Sequence, residues 1–175
     1  MRHYPIPCGK KTIELRIPEG VPVQWVESRK MAPVPDVRRA VEEALNRPIG
    51  TSRLRDLVKR GQKVALVVTD ITRKLPEEII LPLLLRELEA GGIKKKDITG
   101  VVATGTHRPN TPEELREKFG DAINEITFIN HDPWNAEGLI HLGVSKGGIP
   151  LVLNRKVAQA DIRISTGVIE AHLFA

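Results

Sequence analysis

Two short apolar runs, each followed by a polar loop and then by the start of a helix, constrain the fold of this chain more than any other feature. The runs span residues 64–68 and 98–104 and are rich in β-branched and small apolar residues, a composition typical of strands buried on both faces of a parallel sheet. A helical segment over about residues 76–90 lies between them and stops at Gly91-Gly92. This strand–helix–strand order predicts a right-handed crossover between parallel strands, and therefore an α/β fold rather than a helical bundle.

Polar residues that can bind ligands follow both predicted strands at their carboxyl ends. The two loops contain Asp70, Thr72 and Arg73, and Gly105, Thr106, His107 and Arg108. In open parallel sheets ligands collect just outside the carboxyl ends of the strands. Because each loop carries an arginine, the two loops together predict one shared pocket for an anion. An ordinary solvated turn at His107 is the alternative interpretation.

The helix after each loop has a recognisable start. Thr111, Pro112 and Glu114 form the pattern of a capping box with proline at the first helical position. Pro82 lies inside the helix predicted for residues 76–90. Proline removes a backbone hydrogen bond in a helix interior, so this helix is predicted either to kink at Pro82 or to begin later.

Later segments extend the same pattern. Residues 125–130 and 160–165 have the composition of two further strands, while residues 139–144 and 150–153 flank a Lys-Gly-Gly turn and predict a short hairpin. The whole pattern predicts a Rossmann-like α/β fold, with an open, mainly parallel sheet and helices on both of its faces. We expect a single domain over residues 1–175.

The N-terminal segment predicts an additional β-hairpin. Residues 11–17 alternate between polar and apolar, which indicates a half-exposed strand. Residues 21–26 follow a Pro-Glu-Gly turn and are predicted to pair back against that strand. The hairpin would precede the parallel sheet.

Two further histidines lie in or after predicted strands. His131 follows the strand at residues 125–130 and is accompanied by Asp132. A direct catalytic role for His131 is left open, because neighbouring side chains on an extended chain point in different directions. His141 alternates with apolar neighbours and is interpreted as an ordinary strand residue.

The bulk composition indicates a folded domain in a reducing compartment. The chain has 175 residues, of which 41% are hydrophobic, enough to form a substantial core. No apolar run approaches the roughly 18 to 20 residues that a membrane span needs, and the N-terminus lacks a signal-peptide core. A single cysteine, Cys8, excludes an internal disulfide. We therefore expect a cytoplasmic protein without membrane contact.

The net charge of +5 raises the question of nucleic-acid binding. Basic residues are scattered among acidic ones, and aromatic residues make up only 3% of the chain, so platforms for base stacking are scarce. The glycine-rich phosphate motifs of dinucleotide-binding and P-loop proteins are also absent from the sequence. The charge favours a small anionic ligand over nucleic acid.

Four motifs, taken in order along the chain, resemble the N-terminal domain of the nickel-pincer-dependent lactate racemase family. They are Asp70-Ile71-Thr72-Arg73, Thr104-Gly105-Thr106-His107-Arg108-Pro109, His131-Asp132 and Gly167-Val168-Ile169-Glu170-Ala171-His172. The similarity extends over nearly the whole chain, and the ordered set is more specific than any single motif. The resemblance implies that the chain is the N-terminal portion of a longer two-domain enzyme.

The resemblance also implies a reaction and a set of site residues. Members of that family racemise or epimerise 2-hydroxy acids by hydride transfer to a nickel-pincer nucleotide, a pyridinium dithio-acid mononucleotide with nickel. His107 and His172 match the two catalytic acid/base histidines, and Arg73 and Asp70 match residues of the substrate pocket, in which the arginine grips the carboxylate. By the same comparison Asp70, Thr72, Gly105 and Thr106 are expected to contact the cofactor.

The chain departs from the family pattern after His172. The Ser-Gly-Gly-x-Lys segment whose lysine carries the cofactor is missing, as is the nickel-binding histidine. We therefore expect no bound metal or cofactor and no turnover from this portion alone, with the substrate and the C-terminal domain of the parent chain as its partners. The alternative is a non-enzymatic α/β module that binds a small anion and uses the histidines as polar lining.

Overall fold

The protein divides into two compact units. In this computed structural model the described residues are 1–9, 11–27, 29 and 31–170. The units are Met1–Pro33 and Val34–Ala175. The candidate ligand-binding loops belong to the second unit.

The first unit contains an antiparallel β-hairpin, in agreement with the prediction of an N-terminal hairpin. Its strands are β1 (Arg2–Cys8) and β2 (Lys11–Ile17), and Arg2 pairs with Ile17 at the open end. The turn contains Gly9 at φ +60°, a left-handed conformation that glycine adopts without strain.

The predicted partner of β2 was wrong, because the strand pairs with the residues before it. Residues 21–26 form no strand in the structure, and Trp25 instead stacks on Tyr4 with ring centroids 5.7 Å apart. Pro5 and Pro7 concealed the strand signal in β1, since proline is unfavourable within a sheet except at an edge. In a two-stranded hairpin every strand is an edge, so both prolines are accommodated.

The second unit contains a parallel sheet, a short antiparallel hairpin and a set of helices. Its strands are β3 (Val64–Thr69), β4 (Ile98–Ala103), β5 (Thr127–Asn130), β6 (Leu139–Val144), β7 (Pro150–Asn154) and β8 (Ile162–Ser165). Its α-helices are α1 (Val37–Asn46), α2 (Leu54–Leu57), α3 (Glu77–Ala90), α4 (Pro112–Phe119), α5 (Ala122–Glu125) and α6 (Arg155–Gln159). Short 3₁₀ turns precede β4 and β6 at Lys95–Asp97 and Ala136–Gly138.

The sheet has the order β5-β4-β3-β8, and all of its strand pairs are parallel. The chain moves outward from β3 through β4 to β5, then returns to place β8 on the other side of β3. The sheet therefore has its topological switch point between β3 and β8, the place where ligands bind in open α/β sheets. This topology confirms the predicted α/β parallel-sheet fold.

One face of the sheet packs against α3 and α4 to form the main core. Leu66 of β3 and Leu81 of α3 are wholly buried, as is Phe119 at the end of α4. α3 begins at Glu77, so the prediction of a later start is wrong and Pro82 lies within the second turn. The predicted capping box of α4 at Thr111 and Glu114 is confirmed.

The short helix α6 lies against part of the opposite face of the sheet. Arg163, which lies on this face of β8, donates hydrogen bonds to the carbonyls of Val157 and Ala158, 2.8 and 2.6 Å away. The sheet thus has helices on both faces, as predicted. No helix in the described part of the chain is long and apolar enough to cross a membrane.

Candidate functional site

A cavity of about 310 Å³ lies at the switch point, where β3 and β4 end and the chain leaves β8. Its lining includes Asp70, Arg73, Gly105, Thr106, His107 and Thr166. The parallel pairing of Thr69 with Ala103 places the two loops at the same level of the sheet. The two loops therefore share a pocket as predicted, but its described lining includes Arg73 and not Arg108, which pairs with Glu114 at 2.6 Å.

A polar contact in this cavity joins Asp70 to His107. Asp70 Oδ2 lies 2.6 Å from His107 Nδ1, and Asp70 Oδ1 accepts hydrogen bonds from the backbone N–H and the hydroxyl of Thr72 at 3.0 and 2.6 Å. Asp70 is only 3% exposed, whereas the side chain of His107 is 53% exposed. A buried carboxylate thus holds one edge of an accessible imidazole.

The pKa of Asp70 is set by opposing effects. Burial raises the pKa, but hydrogen bonds from Thr72 and His107 together outweigh it and leave the pKa of Asp70 below its ordinary value. The carboxyl is therefore ionised at neutral pH and can only accept hydrogen bonds. It follows that His107 Nδ1 carries a proton, which leaves Nε2 as the nitrogen that can take up or release one.

The turn that carries His107 depends on a glycine. Gly105 has φ +58°, where an L-residue is strained, and the backbone N–H of His107 donates to the carbonyl of Thr104 at 2.9 Å. Thr104 is buried, and its hydroxyl donates to the carbonyl of His131 at 2.7 Å. These bonds bring His107 back over the end of β4.

Arg73 forms an ion pair with Glu170 through its guanidinium. Glu170 follows β8, so the pair connects the loop after β3 with the segment after β8. The resemblance implied that Asp70 and Arg73 belong to the same substrate pocket. In the structure the Asp70 side chain contacts His107 and Thr72, and only the Asp70 carbonyl contacts Arg73, accepting its backbone N–H at 3.2 Å.

Of the other predicted site residues, some line the cavity and others lie elsewhere. Gly105 and Thr106 line the cavity, while Thr72 uses both its hydroxyl and its N–H to hold Asp70. His172 lies outside the described residues. The side-chain amide nitrogen of Asn154 donates a hydrogen bond to His131 Nδ1 at 3.2 Å, and His131 is not part of the described lining of the cavity.

Sequence reasoning missed a buried ion pair directly behind the cavity. Glu77 is fully buried, the side chain of Lys118 is 6% exposed, and their charged atoms lie 3.1 Å apart. A signal existed in α3, because Glu77 shares the helical spacing of the apolar residues Leu81 and Leu88. A charged residue on an apolar stripe indicates a buried partner.

The described residues do not assemble a metal site. Across residues 1–9, 11–27, 29 and 31–170, no three His, Cys, Asp or Glu side chains come close enough to share a metal ion. The polar groups that line the cavity are an imidazole, a guanidinium, a carboxylate and hydroxyls. Of these, the guanidinium, the imidazole and the hydroxyls can donate hydrogen bonds to a small anion.

Comparison with known proteins relates this chain to a known family. The sequence profile described as the lactate racemase N-terminal domain matches residues 8–175. The lactate racemase of Thermoanaerobacterium thermosaccharolyticum is 34% identical over 182 residues, an alignment that covers 100% of this chain and 42% of that protein. The lactate racemase of Lactiplantibacillus plantarum is 36% identical over 139 residues, covering 79% of this chain and 32% of the relative.

Solved structures give the same result. The lactate racemase apoprotein from T. thermosaccharolyticum superimposes with a TM-score of 0.72 at 32% identity, over 94% of this chain and 38% of that one. A protein from Thermotoga maritima gives a TM-score of 0.61 at 27% identity, over 78% of this chain and 34% of its own. This chain spans less than half the length of the curated relatives it matches. It belongs to the lactate racemase N-terminal domain family, as its motifs indicated.

Proposed function

We propose that this chain is the N-terminal portion of an enzyme that racemises or epimerises 2-hydroxy acids such as lactate. The observation that carries the proposal is the hydrogen-bonded Asp70–His107 pair, which lies in the same cavity as Arg73. The names of the two curated relatives support it. Racemisation of a 2-hydroxy acid requires a group that moves the hydroxyl proton and a group that holds the carboxylate, and the cavity contains one of each.

His107 is the proposed acid/base. Asp70 holds the proton on Nδ1, so Nε2 can accept the proton of the substrate hydroxyl and return it. The ionised carboxylate also stabilises the imidazolium that forms when Nε2 is protonated.

Arg73 is the proposed carboxylate-binding residue. Its planar guanidinium can donate two parallel hydrogen bonds to a carboxylate. In the structure its partner is the carboxylate of Glu170, and both side chains are more than one third exposed. Exposed ion pairs of this kind are weak, so a substrate carboxylate can replace Glu170 at little cost.

A second proton-transferring group is needed on the opposite face of the substrate carbon. The resemblance assigns this role to His172, which lies two residues after Glu170 in the sequence. The role of His172 is part of the proposal. Thr166, where the same segment leaves β8, lines the cavity and supports it.

The proposed cofactor is the nickel-pincer nucleotide of the longer parent protein. Of the residues expected to contact it, Asp70, Gly105 and Thr106 line the cavity, and the hydroxyl of Thr106 is the group we assign to polar contact with it. When bound, it would supply acceptance and return of a hydride. The described residues offer no set of metal ligands, so we assign nickel ligation and covalent attachment to parts of the parent outside them.

The test uses the full-length, cofactor-loaded protein and pure D-lactate. We expect L-lactate to accumulate until the enantiomers are equal, as followed by chiral chromatography. His107→Asn is expected to abolish the reaction, since an amide cannot transfer the proton. His141→Asn is the matched control, because His141 is exposed on β6. A loaded wild-type protein that leaves D-lactate and other 2-hydroxy acids unchanged would contradict the proposal.

A second candidate is a module that binds a small carboxylate without turnover. The Arg73–Glu170 pair favours it, because it shows that the arginine at the cavity can hold a carboxylate. Saturable lactate binding by the loaded full-length protein, without interconversion and without dependence on His107, would support this candidate. Interconversion dependent on His107 would exclude it.

A further inference from the structure

The ion pair of Glu77 and Lys118 lies behind the cavity and connects the segments that form it. The Glu77 carboxylate accepts hydrogen bonds from the N–H and hydroxyl of Thr69, at 3.0 and 3.1 Å, and from the hydroxyl of Thr166 at 2.7 Å. Lys118 donates to the Arg73 carbonyl at 2.8 Å and lies 3.1 Å from Glu77 Oε2. One buried pair, with its members on α3 and α4, thus contacts the ends of β3 and β8 and the Arg73 loop.

A buried ion pair of this kind contributes little net stability to the fold. Two charges removed from water lose hydration energy that their attraction returns only in part, and buried ion pairs can often be replaced by neutral side chains without loss of stability. The hydrogen bonds of Glu77 and Lys118 are directional, however, and a buried polar group tolerates few alternative arrangements. Their effect is to select one arrangement of the contacting segments.

The segment that these contacts select is the loop that carries the proposed chemistry. Thr69 immediately precedes Asp70, and the Arg73 carbonyl lies three residues further on, so the loop is held at both of its ends. Thr166, on the other side of the switch point, is held to the same carboxylate. The described lining of the cavity includes neither Glu77 nor Lys118.

We propose that Glu77 and Lys118 are the positioning pair of this site, and that they fix the Asp70–Arg73 loop so that Arg73 and His107 act on the same 2-hydroxy acid. This inference rests on the proposed function. The pair acts through the backbone of Thr69 and Arg73 and does not touch the substrate. Because small errors in placing reacting groups lower rates strongly, loosening the loop should reduce catalysis even in a well-folded protein.

The decisive variant is the double replacement Glu77→Gln and Lys118→Met. The introduced glutamine keeps an oxygen for the Thr69 N–H and the Thr166 hydroxyl, and the introduced methionine fills the space of the lysine stem. No unpaired charge is left in the core, so the variant is expected to fold, whereas a single replacement would bury one charge alone. The variant removes the ion pair itself and the hydrogen bond from Lys118 to the Arg73 carbonyl.

The matched control is Lys63→Met with Asp97→Asn. This ion pair joins a side chain that is 64% exposed to one that is 9% exposed, at the amino-terminal end of the sheet. It is remote from the cavity, which lies at the carboxyl ends of the strands. Its removal tests whether loss of any ion pair in this unit lowers activity.

The measurements are thermal unfolding, lactate kinetics and amide hydrogen exchange on the full-length protein. For the Glu77/Lys118 variant we expect a fall in kcat/KM of roughly 10- to 100-fold, with faster exchange confined to residues 70–76. The control is expected to retain its kcat/KM and its exchange in that loop. A merely structural role would instead raise exchange throughout the domain and leave the kinetics of the folded fraction unchanged.

The outcomes separate this inference from the proposed function. If the loaded wild-type protein does not interconvert lactate, the function fails, and the exchange of residues 70–76 still decides whether the pair positions the loop. A double variant with wild-type exchange and kinetics overturns the inference. If that variant does not fold, Thr69→Val removes one hydroxyl bond from the loop to Glu77 and is expected to lower kcat/KM several-fold; wild-type kinetics and exchange in Thr69→Val would likewise overturn it.

Discussion

His107 Nδ1 and Asp70 Oδ2 lie 2.6 Å apart although the residues are 37 positions apart in the sequence. The contact exists because β3 and β4 are neighbouring parallel strands in register, so the loops after them begin at the same edge. The partner of His107 fixes which nitrogen carries the proton, and therefore which nitrogen is free for chemistry.

Replacing Asp70 by asparagine is expected to lower kcat for lactate interconversion by roughly 10²-fold or more. The amide of the introduced asparagine can donate to Nδ1, which would shift the imidazole proton to Nε2 and leave it unable to accept one from the substrate. Steady-state kinetics of the loaded full-length protein measure the effect. Thr72→Ser keeps a hydroxyl and an N–H for Asp70 and should remain close to wild type. Normal kcat in Asp70→Asn would remove this carboxylate from the mechanism.

The replacement His107→Ala is expected to raise the pKa of Asp70. The pKa is now held below its ordinary value by hydrogen bonds from Thr72 and His107, against the effect of burial, and the variant removes one of the lowering effects. Carbon-13 NMR of the Asp70 carboxyl measures the change. His131 makes no hydrogen bond to Asp70, so His131→Ala is the control and should leave the pKa of Asp70 unchanged. An unchanged pKa of Asp70 in His107→Ala would contradict the hydrogen bond between the two residues.

The stability of the fold at low pH should also depend on the hydrogen bond between Asp70 and His107. A carboxyl whose pKa is lower in the folded than in the unfolded chain stabilises the fold above the unfolded pKa of ~3.9, and this contribution is lost as the pH falls through the folded-state value. Because His107→Ala raises the folded-state pKa of Asp70, its acid unfolding should begin at a higher pH than in wild type. Circular dichroism during acid titration checks the direction.

Replacing Glu170 by glutamine is expected to tighten lactate binding by up to about fivefold. In the structure the Glu170 carboxylate is paired with the Arg73 guanidinium. The neutral amide of the introduced glutamine would compete less well with the substrate carboxylate for that guanidinium. Isothermal titration calorimetry, or KM in the loaded protein, measures the change. Glu113→Gln on α4 is the control, since Glu113 pairs with Arg116. Weaker binding in Glu170→Gln would mean that Glu170 assists the ligand rather than competing with it.

Replacing Gly100 by alanine is expected to destabilise the second unit by about 1–3 kcal/mol. A Cβ at this position would lie 2.3 Å from Phe128 Cδ1, and the Phe128 ring stacks on buried Phe119 with centroids 4.6 Å apart. Denaturant unfolding measures the change. Gly147→Ala is the control, because its Cβ would meet nothing closer than 3.9 Å. Equal stabilities of the two variants would contradict this packing.

The strands and helix starts of the second unit were accessible from sequence because their signals are local. Apolar runs and capping patterns involve residues within a few positions of one another, as at Thr111 and Glu114. The prediction also relied on local signals in the N-terminal hairpin, and there it chose the wrong partner for β2. Pro5 and Pro7 weaken the local strand signal of β1, although the pairing itself tolerates them.

The α/β class, the positions of the two candidate loops and the membership of the family could all be predicted from the sequence. The side-chain partners follow only from the tertiary structure: Asp70 bonds to His107, Arg73 pairs with Glu170, and Glu77 pairs with Lys118. Each of these contacts joins different segments of the chain. Which segments meet depends on strand order and register, and these follow from packing of the whole sheet rather than from any local pattern.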